Sequence, residues 1–213
     1  MEFLRKIRKP FPYSFYNASF IIIGVNVLVF VLTYLYPKLL SYLSLNVVYV
    51  VRYHMYWQPL TYMFVHGSFS HILFNMLGIF FFGVAVERAI GSKEFLLLYF
   101  CSGILCGVIS FAIYYATGTF VFLMGASGAI YALLLAYAVI FPRSRIFIWG
   151  ILPIPAPLLI AIYAGIEVAS QLFSLRDGVA HMTHLTGFAV AWLYLMIRMG
   201  INPWKVWKNA YRS

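Results

Sequence analysis

The sequence predicts an all-α, polytopic membrane protein with six transmembrane helices, and three observations carry that fold class. Of 213 residues, 64% are hydrophobic and only 9% are charged, where a soluble domain has roughly 25% charged residues. Apolar runs long enough to span a bilayer recur along the chain, separated by short polar or basic breaks. The basic residues also alternate between loops as a membrane topology requires. With six spans, Lys38, Arg52 and Arg176 fall on one side and the other twelve of the 15 Lys and Arg on the opposite side, which carries both termini. The positive-inside rule makes that side cytoplasmic.

The elements follow in order. Arg5, Lys6, Arg8 and Lys9 precede an apolar run at about 19–36. The run is long enough to span and has no small-x-small cleavage site, so it reads as a retained first helix, not a signal peptide. Residues 37–56 mix serine and asparagine into apolar stretches, which suits an element lying in the membrane interface. The second span runs from about Phe69 to Val86 and stops at Glu87-Arg88. The third covers about Phe95–Ala116, bounded by Gly91 and Thr117, and the fourth about Met124–Phe141, stopped by Pro142-Arg143. The fifth covers about Ile146–Phe173 and contains Pro153, Pro155 and Pro157, which predict a kinked or partly unwound first half. The sixth runs from about Ala180 to Met199. One membrane domain, residues 1–213, is expected, with short basic tails at about 1–17 and 200–213 and no appended soluble domain.

Composition also bounds the partners. The net charge of +10 is spread over several loops, which argues against a nucleic-acid surface and leaves the lipid bilayer as the medium. Cys101 and Cys106 lie inside one apolar segment and read as packing residues. No cofactor and no metal are expected, and the sequence leaves the oligomeric state open.

Depth then sorts the polar residues. With both termini inside, His66, Ser68, Ser70 and His71 lie near the outer end of the second helix, with Asn75 one turn deeper. Ser127 lies about a turn inside the outer end of the fourth helix, and His181 and His184 at similar depth in the sixth. His54 falls in the interfacial element, where a polar-tipped ring is an ordinary anchor. Ionisable groups inside a membrane are costly and mark function by default. A lone hydroxyl in hydrocarbon costs roughly 2–7 kcal/mol without a partner. Helical spacing puts His71 with Asn75, Ser127 with Tyr131, and His181 with His184 and Gly187 on shared faces. Gly125 and Gly128 flank the serine, and small residues let transmembrane backbones approach closely. A Ser127–His184 hydrogen bond needs that approach.

These residues resemble the rhomboid intramembrane serine proteases. The likeness lies in the segment Trp57 to Asn75, including His66 and His71, in Val86-Glu-Arg-Ala-Ile-Gly-Ser92, in Gly125-Ala-Ser127-Gly128 with Tyr131, and in Ala180-His-Met-Thr-His184-Leu-Thr-Gly187. It covers roughly residues 57–190, in order, and implies a rhomboid-like fold and a serine endopeptidase acting on transmembrane protein substrates. It implies Ser127 as nucleophile and His184 as its general base. His71 and Asn75 become oxyanion-hole side chains, aided by the Ser127 backbone N–H. Tyr131 packs on the His184 ring, His66 braces the interfacial loop, and His181 stands beside the site. Two positions depart from the family pattern: Gln58 stands where many members have arginine, and Thr186 where glycine or alanine is common.

The chemistry follows from these groups. Imidazole titrates near neutrality and accepts the serine proton, and preorganised donors stabilise the oxyanion. No acidic residue is expected within the helices at this depth. Asp177, seven residues before His184, reads as decorating a turn with Gly178, so a Ser–His dyad oriented by Tyr131 is expected. A helical substrate hides its scissile carbonyl in the i→i−4 ladder, so substrates need helix-weakening residues near the cut, at the outer depth of Ser127. The outer half of the fifth helix, about Ala164–Phe173, is expected to move aside and admit substrate laterally. A compact prokaryotic form in the cell (inner) membrane, both termini cytoplasmic, fits the sequence. Three rivals are weaker. An inactive relative typically loses the serine or histidine. A zinc hydrolase using His66, His71, His181 and His184 leaves Ser127 without a role. A transporter site sits near the midplane with repeat symmetry.

Overall fold

The computed structural model describes residues 8–148, 150–172 and 181–212. Arg5, Lys6, Arg176, Asp177, Gly178 and Ala180, singled out above, lie outside the described residues. Helix dominates the chain. Among the described residues, three helices are long and apolar enough to cross a membrane: α1 (Ala18–Leu35), α5 (Phe69–Ile90) and α6 (Ser92–Thr117). Three shorter helices accompany them: α7 (Ser127–Ile140), α8 (Ala156–Leu172) and α9 (His181–Ile197). The boundaries fall within a few residues of those expected, except in the fifth segment.

The interfacial stretch folds into short helices α2 (Lys38–Leu43), α3 (Val47–Tyr53) and α4 (Gln58–Thr61), followed by a 3-10 turn at Tyr62–Phe64. Asn46 caps α3 by accepting from the Val48 and Tyr49 amides. The buried Gln58 ties these pieces together. Its Oε1 accepts from the Asn46 amide at 3.0 Å, and its Nε2 donates to the carbonyls of Ser41 and Tyr42. A neutral amide thus pins this element by hydrogen bonds.

The core is built around α7. Ala132, Leu133, Ala136 and Ala138 on that helix are fully buried, and α5, α6, α8 and α9 pack round it. Its alanines allow close packing on several sides. The 14 residues of α7 rise only about 21 Å, short of the roughly 30 Å hydrocarbon core. The chain therefore enters α7 through non-helical backbone, residues 119–126. It runs from exposed Phe120, Val121 and Phe122 to buried Leu123, Gly125 and Ala126 and is tied into the protein by backbone and side-chain hydrogen bonds. Leu45 and Leu123 exchange backbone hydrogen bonds at 2.9 Å, the Gly125 amide donates to the Tyr62 carbonyl, and Asn46 Nδ2 donates to the Val121 carbonyl. Tight notches lock α6 to the same region: the Tyr62 hydroxyl donates to the Gly103 carbonyl at 2.7 Å, and Met63 fills the space a side chain at Gly103 would need.

The fifth segment departs from the expectation. It is not a kinked helix from Ile146. Residues Arg145–Ile148 (β1) and Leu152–Pro155 (β2) form an antiparallel ribbon, with Arg145 opposite Pro155 and Phe147 opposite Pro153, and the helix begins only at Ala156. The all-α reading is corrected by this one hairpin. Pro153 and Pro155 donate no N–H and are excluded from a helix interior, but both strands of a two-stranded ribbon are edges, where alternate prolines are tolerated. Gly150, at φ +70°, makes the turn. Pro157, in the first turn of α8, sits where a missing amide proton costs nothing. Beyond α9, the tail forms α10 (Pro203–Ala210), capped by Asn202 and anchored by Trp207 Nε1 donating to the Ala138 carbonyl.

Candidate active site

Ser127 is the first residue of α7, so its N–H belongs to the turn that lacks intrahelical acceptors. Its Oγ lies 2.8 Å from His184 Nε2, across 57 residues of chain. Two glycines make that approach possible. A Cβ on Gly187 of α9 would sit 2.3 Å from the Gly128 carbonyl oxygen, and a Cβ on Gly128 would sit 3.0 Å from Cys106 Cβ. Only bare backbone fits where α7 and α9 touch. Thr186, next to this contact, satisfies its own hydroxyl by donating to the Met182 carbonyl at 2.7 Å.

Tyr131 stacks on the His184 ring, with centroids 4.2 Å apart and planes 11° apart. Gly125 holds φ +115°, and a Cβ there would meet His71 Nε2 at 2.6 Å. The glycine thus supplies both a left-handed backbone and room for the His71 ring beside the serine. Asn75 is buried on the next turn of α5. Its Nδ2 gives one N–H to the His71 carbonyl at 2.7 Å, and an amide nitrogen has a second to offer. His66 is buried and meets the His71 ring edge-on at a 4.9 Å centroid distance. Burial pushes its pKa down to about 4, with the neighbouring His71 adding to the effect. His54 stands apart: its Nδ1 pairs with the Tyr56 hydroxyl at an exposed position. The two cysteines are free thiols, and Cys106 is buried against Gly128.

The expectation that no acidic side chain reaches this depth is overturned. Glu167 of α8 is 4% exposed. Its Oε1 lies 2.8 Å from His184 Nδ1 and accepts from the Tyr131 hydroxyl at 2.5 Å, while its Oε2 lies 2.5 Å from His181 Nδ1. His181 therefore meets the site through this carboxylate. The signal was present in the sequence, because Glu167 is the one charged residue in the fifth apolar segment. The rule applied to the histidines, that an intramembrane charge marks function, applies equally to it. Both ring nitrogens of His184 are engaged, Nδ1 by Glu167 and Nε2 by Ser127.

Residues 53–200 match the family profile described as the Rhomboid domain. The chain belongs to the rhomboid family. Among its relatives, RHOMBOID-like protein 12, mitochondrial, of Arabidopsis thaliana is 31% identical over 143 residues, 60% of this chain and 42% of the relative. The putative rhomboid protease YdcA of Bacillus subtilis is 39% identical over 83 residues, 38% of this chain and 40% of the relative. Rhomboid protease GlpG of Haemophilus influenzae is 28% identical over 158 residues, 70% of this chain and 77% of the relative. The matched part amounts to about two fifths of the length of the first two. With its apolar helices, this rhomboid protein is an integral membrane protein.

Proposed function

We propose that this rhomboid protein is an intramembrane serine endopeptidase that cleaves transmembrane segments near the outer face of a cell membrane. The observation that carries the reading is the 2.8 Å contact between Ser127 Oγ and His184 Nε2, made by residues on different helices. The names of relatives such as rhomboid protease GlpG support the protease class. In this reading α1, α5, α6, α7, α8 and α9 are the six spans of a single domain, and both termini are cytoplasmic, as the basic loops support.

The steps balance with one water as co-reactant. Ser127 Oγ bonds to the scissile carbonyl carbon as its proton passes to His184 Nε2, and the carbonyl π pair moves onto oxygen. The His71 ring, an Asn75 N–H and the Ser127 backbone N–H stabilise that oxyanion. The C–N bond then breaks, and His184 returns the proton to the leaving amine. Water repeats the sequence against the acyl-enzyme, releasing the carboxylic acid and restoring the serine. The short α7 supports a water-accessible position for the serine below the outer surface.

The test uses the full chain in detergent with a fluorescent transmembrane peptide. Ser127→Ala and His184→Ala each remove cleavage by a factor on the order of 10⁴–10⁶. His71→Ala or Asn75→Ala each cost roughly 10²–10³. A chelator has no effect. Chelator-sensitive cleavage that survives Ser127→Ala would overturn the serine reading in favour of a metal.

A further inference from the structure

A carboxylate buried among helices is unfavourable unless its oxygens are satisfied. Glu167 satisfies both oxygens with groups of the candidate site: His184 and Tyr131 on Oε1, His181 on Oε2. This arrangement exceeds what is needed to bury one acid. Three donors from two helices converge on a side chain carried by a third helix, α8. One of those donors is the ring that also holds Ser127.

We propose that Glu167 is a positioning residue that holds the His184 proton on Nδ1, so that Nε2 is bare and aimed at the Ser127 hydroxyl. The proposal rests on the serine-protease reading above and deepens it from a dyad to an oriented relay. Neutral imidazole carries its proton on either nitrogen, and only the Nδ1–H tautomer accepts at Nε2. Stacking on Tyr131 fixes the plane of the ring but does not choose between tautomers, because a π face meets both alike. A carboxylate 2.8 Å from Nδ1 does choose. It also stabilises the imidazolium that forms when the serine proton arrives, while the Nδ1 proton stays on the ring and Glu167 stays ionised. The Tyr131 hydroxyl and His181 fix the carboxylate in turn.

The deciding variant is Glu167→Gln, which keeps the shape. Removing the acid of a serine triad costs about 10⁴ in kcat, and the retained Tyr131 stack softens this to an expected loss of roughly 10²–10³ with KM little changed. The rate at which a small fluorophosphonate labels Ser127 falls by a similar factor, although that probe needs no transmembrane docking. Nitrogen-15 NMR of the His184 ring at neutral pH shows Nδ1 protonated in the parent and a tautomer mixture in the variant. Labelling and kcat unchanged, with only thermal stability lowered, overturn the proposal and leave Glu167 as a pin between helices. Should Glu167→Gln fail to fold, Tyr131→Phe keeps the stacked ring and removes one bond to Oε1; about tenfold slower labelling supports the relay, and unchanged labelling overturns it. Cleavage that survives Ser127→Ala defeats the serine reading itself, separately from either result.

Discussion

Glu87 and Glu167 are both carboxylates buried within helices, and their partners differ in kind. Glu87, fully buried, accepts from the Ala18 and Ser19 amides, the Ser19 hydroxyl and the Ser92 hydroxyl. It caps the start of α1 and ties that helix to α5 and α6. Glu94, nearby in sequence, takes a two-pronged bond from Arg198 at 2.9 Å and one from the Tyr194 hydroxyl, locking α6 to the end of α9. None of these donors has to give up a proton in any reaction. Glu167 instead faces two imidazoles and a phenol, and one of the imidazoles is bonded to a serine. The difference teaches that burial of an acid is not what marks a working site. What sets Glu167 apart is a set of partners able to change protonation, connected onward to the serine proposed above as nucleophile.

That contrast is open to direct attack. Among variants outside the proposed reacting groups, the largest effect is expected where the two helices of the site meet. In Gly187→Ala the added methyl strikes the Gly128 carbonyl oxygen, so α9 must shift away from α7. A misplacement near 1 Å costs roughly 100-fold in rate, and overpacking costs about 1–3 kcal/mol in stability. Peptide cleavage and a thermal melt on the same sample should both fall, and full activity would show that the Ser–His contact does not depend on this backbone approach.

Glu87→Ala should produce the opposite pattern. Four donors lose their acceptor, and an unsatisfied buried polar group costs about 1–3 kcal/mol, so the melt moves down while activity per folded molecule is kept. A loss of specific activity at unchanged stability would erase the distinction between the two acids.

The smallest effect is a pH dependence at His66, which sits outside the spanning helices beside His71. Its folded pKa, about 4, lies below the ordinary histidine value of 6.5. The native state therefore binds fewer protons than the unfolded state between those values, and stability is full above the upper one and declines as pH falls toward the lower one. At about pH 5.5 the loss is on the order of 1 kcal/mol, and His66→Asn should abolish this part of the pH slope in thermal melts. An unaltered slope would remove His66 as its source.

Much of this molecule was legible because each signal is local. Long apolar runs declare the helices, Gly91 and Pro142 declare their ends, and i, i+4 spacing pairs His71 with Asn75 and Ser127 with Tyr131. The fifth segment was legible only in part. Three prolines announce a disturbance, but whether the chain kinks or turns back as a ribbon depends on pairing between Arg145–Ile148 and Leu152–Pro155, which no single stretch encodes. Gln58 read only as a departure from the family pattern, yet its amide reaches three backbone groups that folding brings near. Glu167 was visible as a lone charge in an apolar helix, but its partners lie on other helices.

By itself the sequence determined the membrane as solvent, most of the helical segments and most of the polar residues that gather at the candidate site, because hydropathy and helical periodicity are properties of short windows. The tertiary structure alone decided which of those residues touch. The contact of Gly187 with Gly128, the reach of Glu167 to His184 and the 2.8 Å approach of His184 to Ser127 come from how three helices pack, and packing is a property of the whole chain.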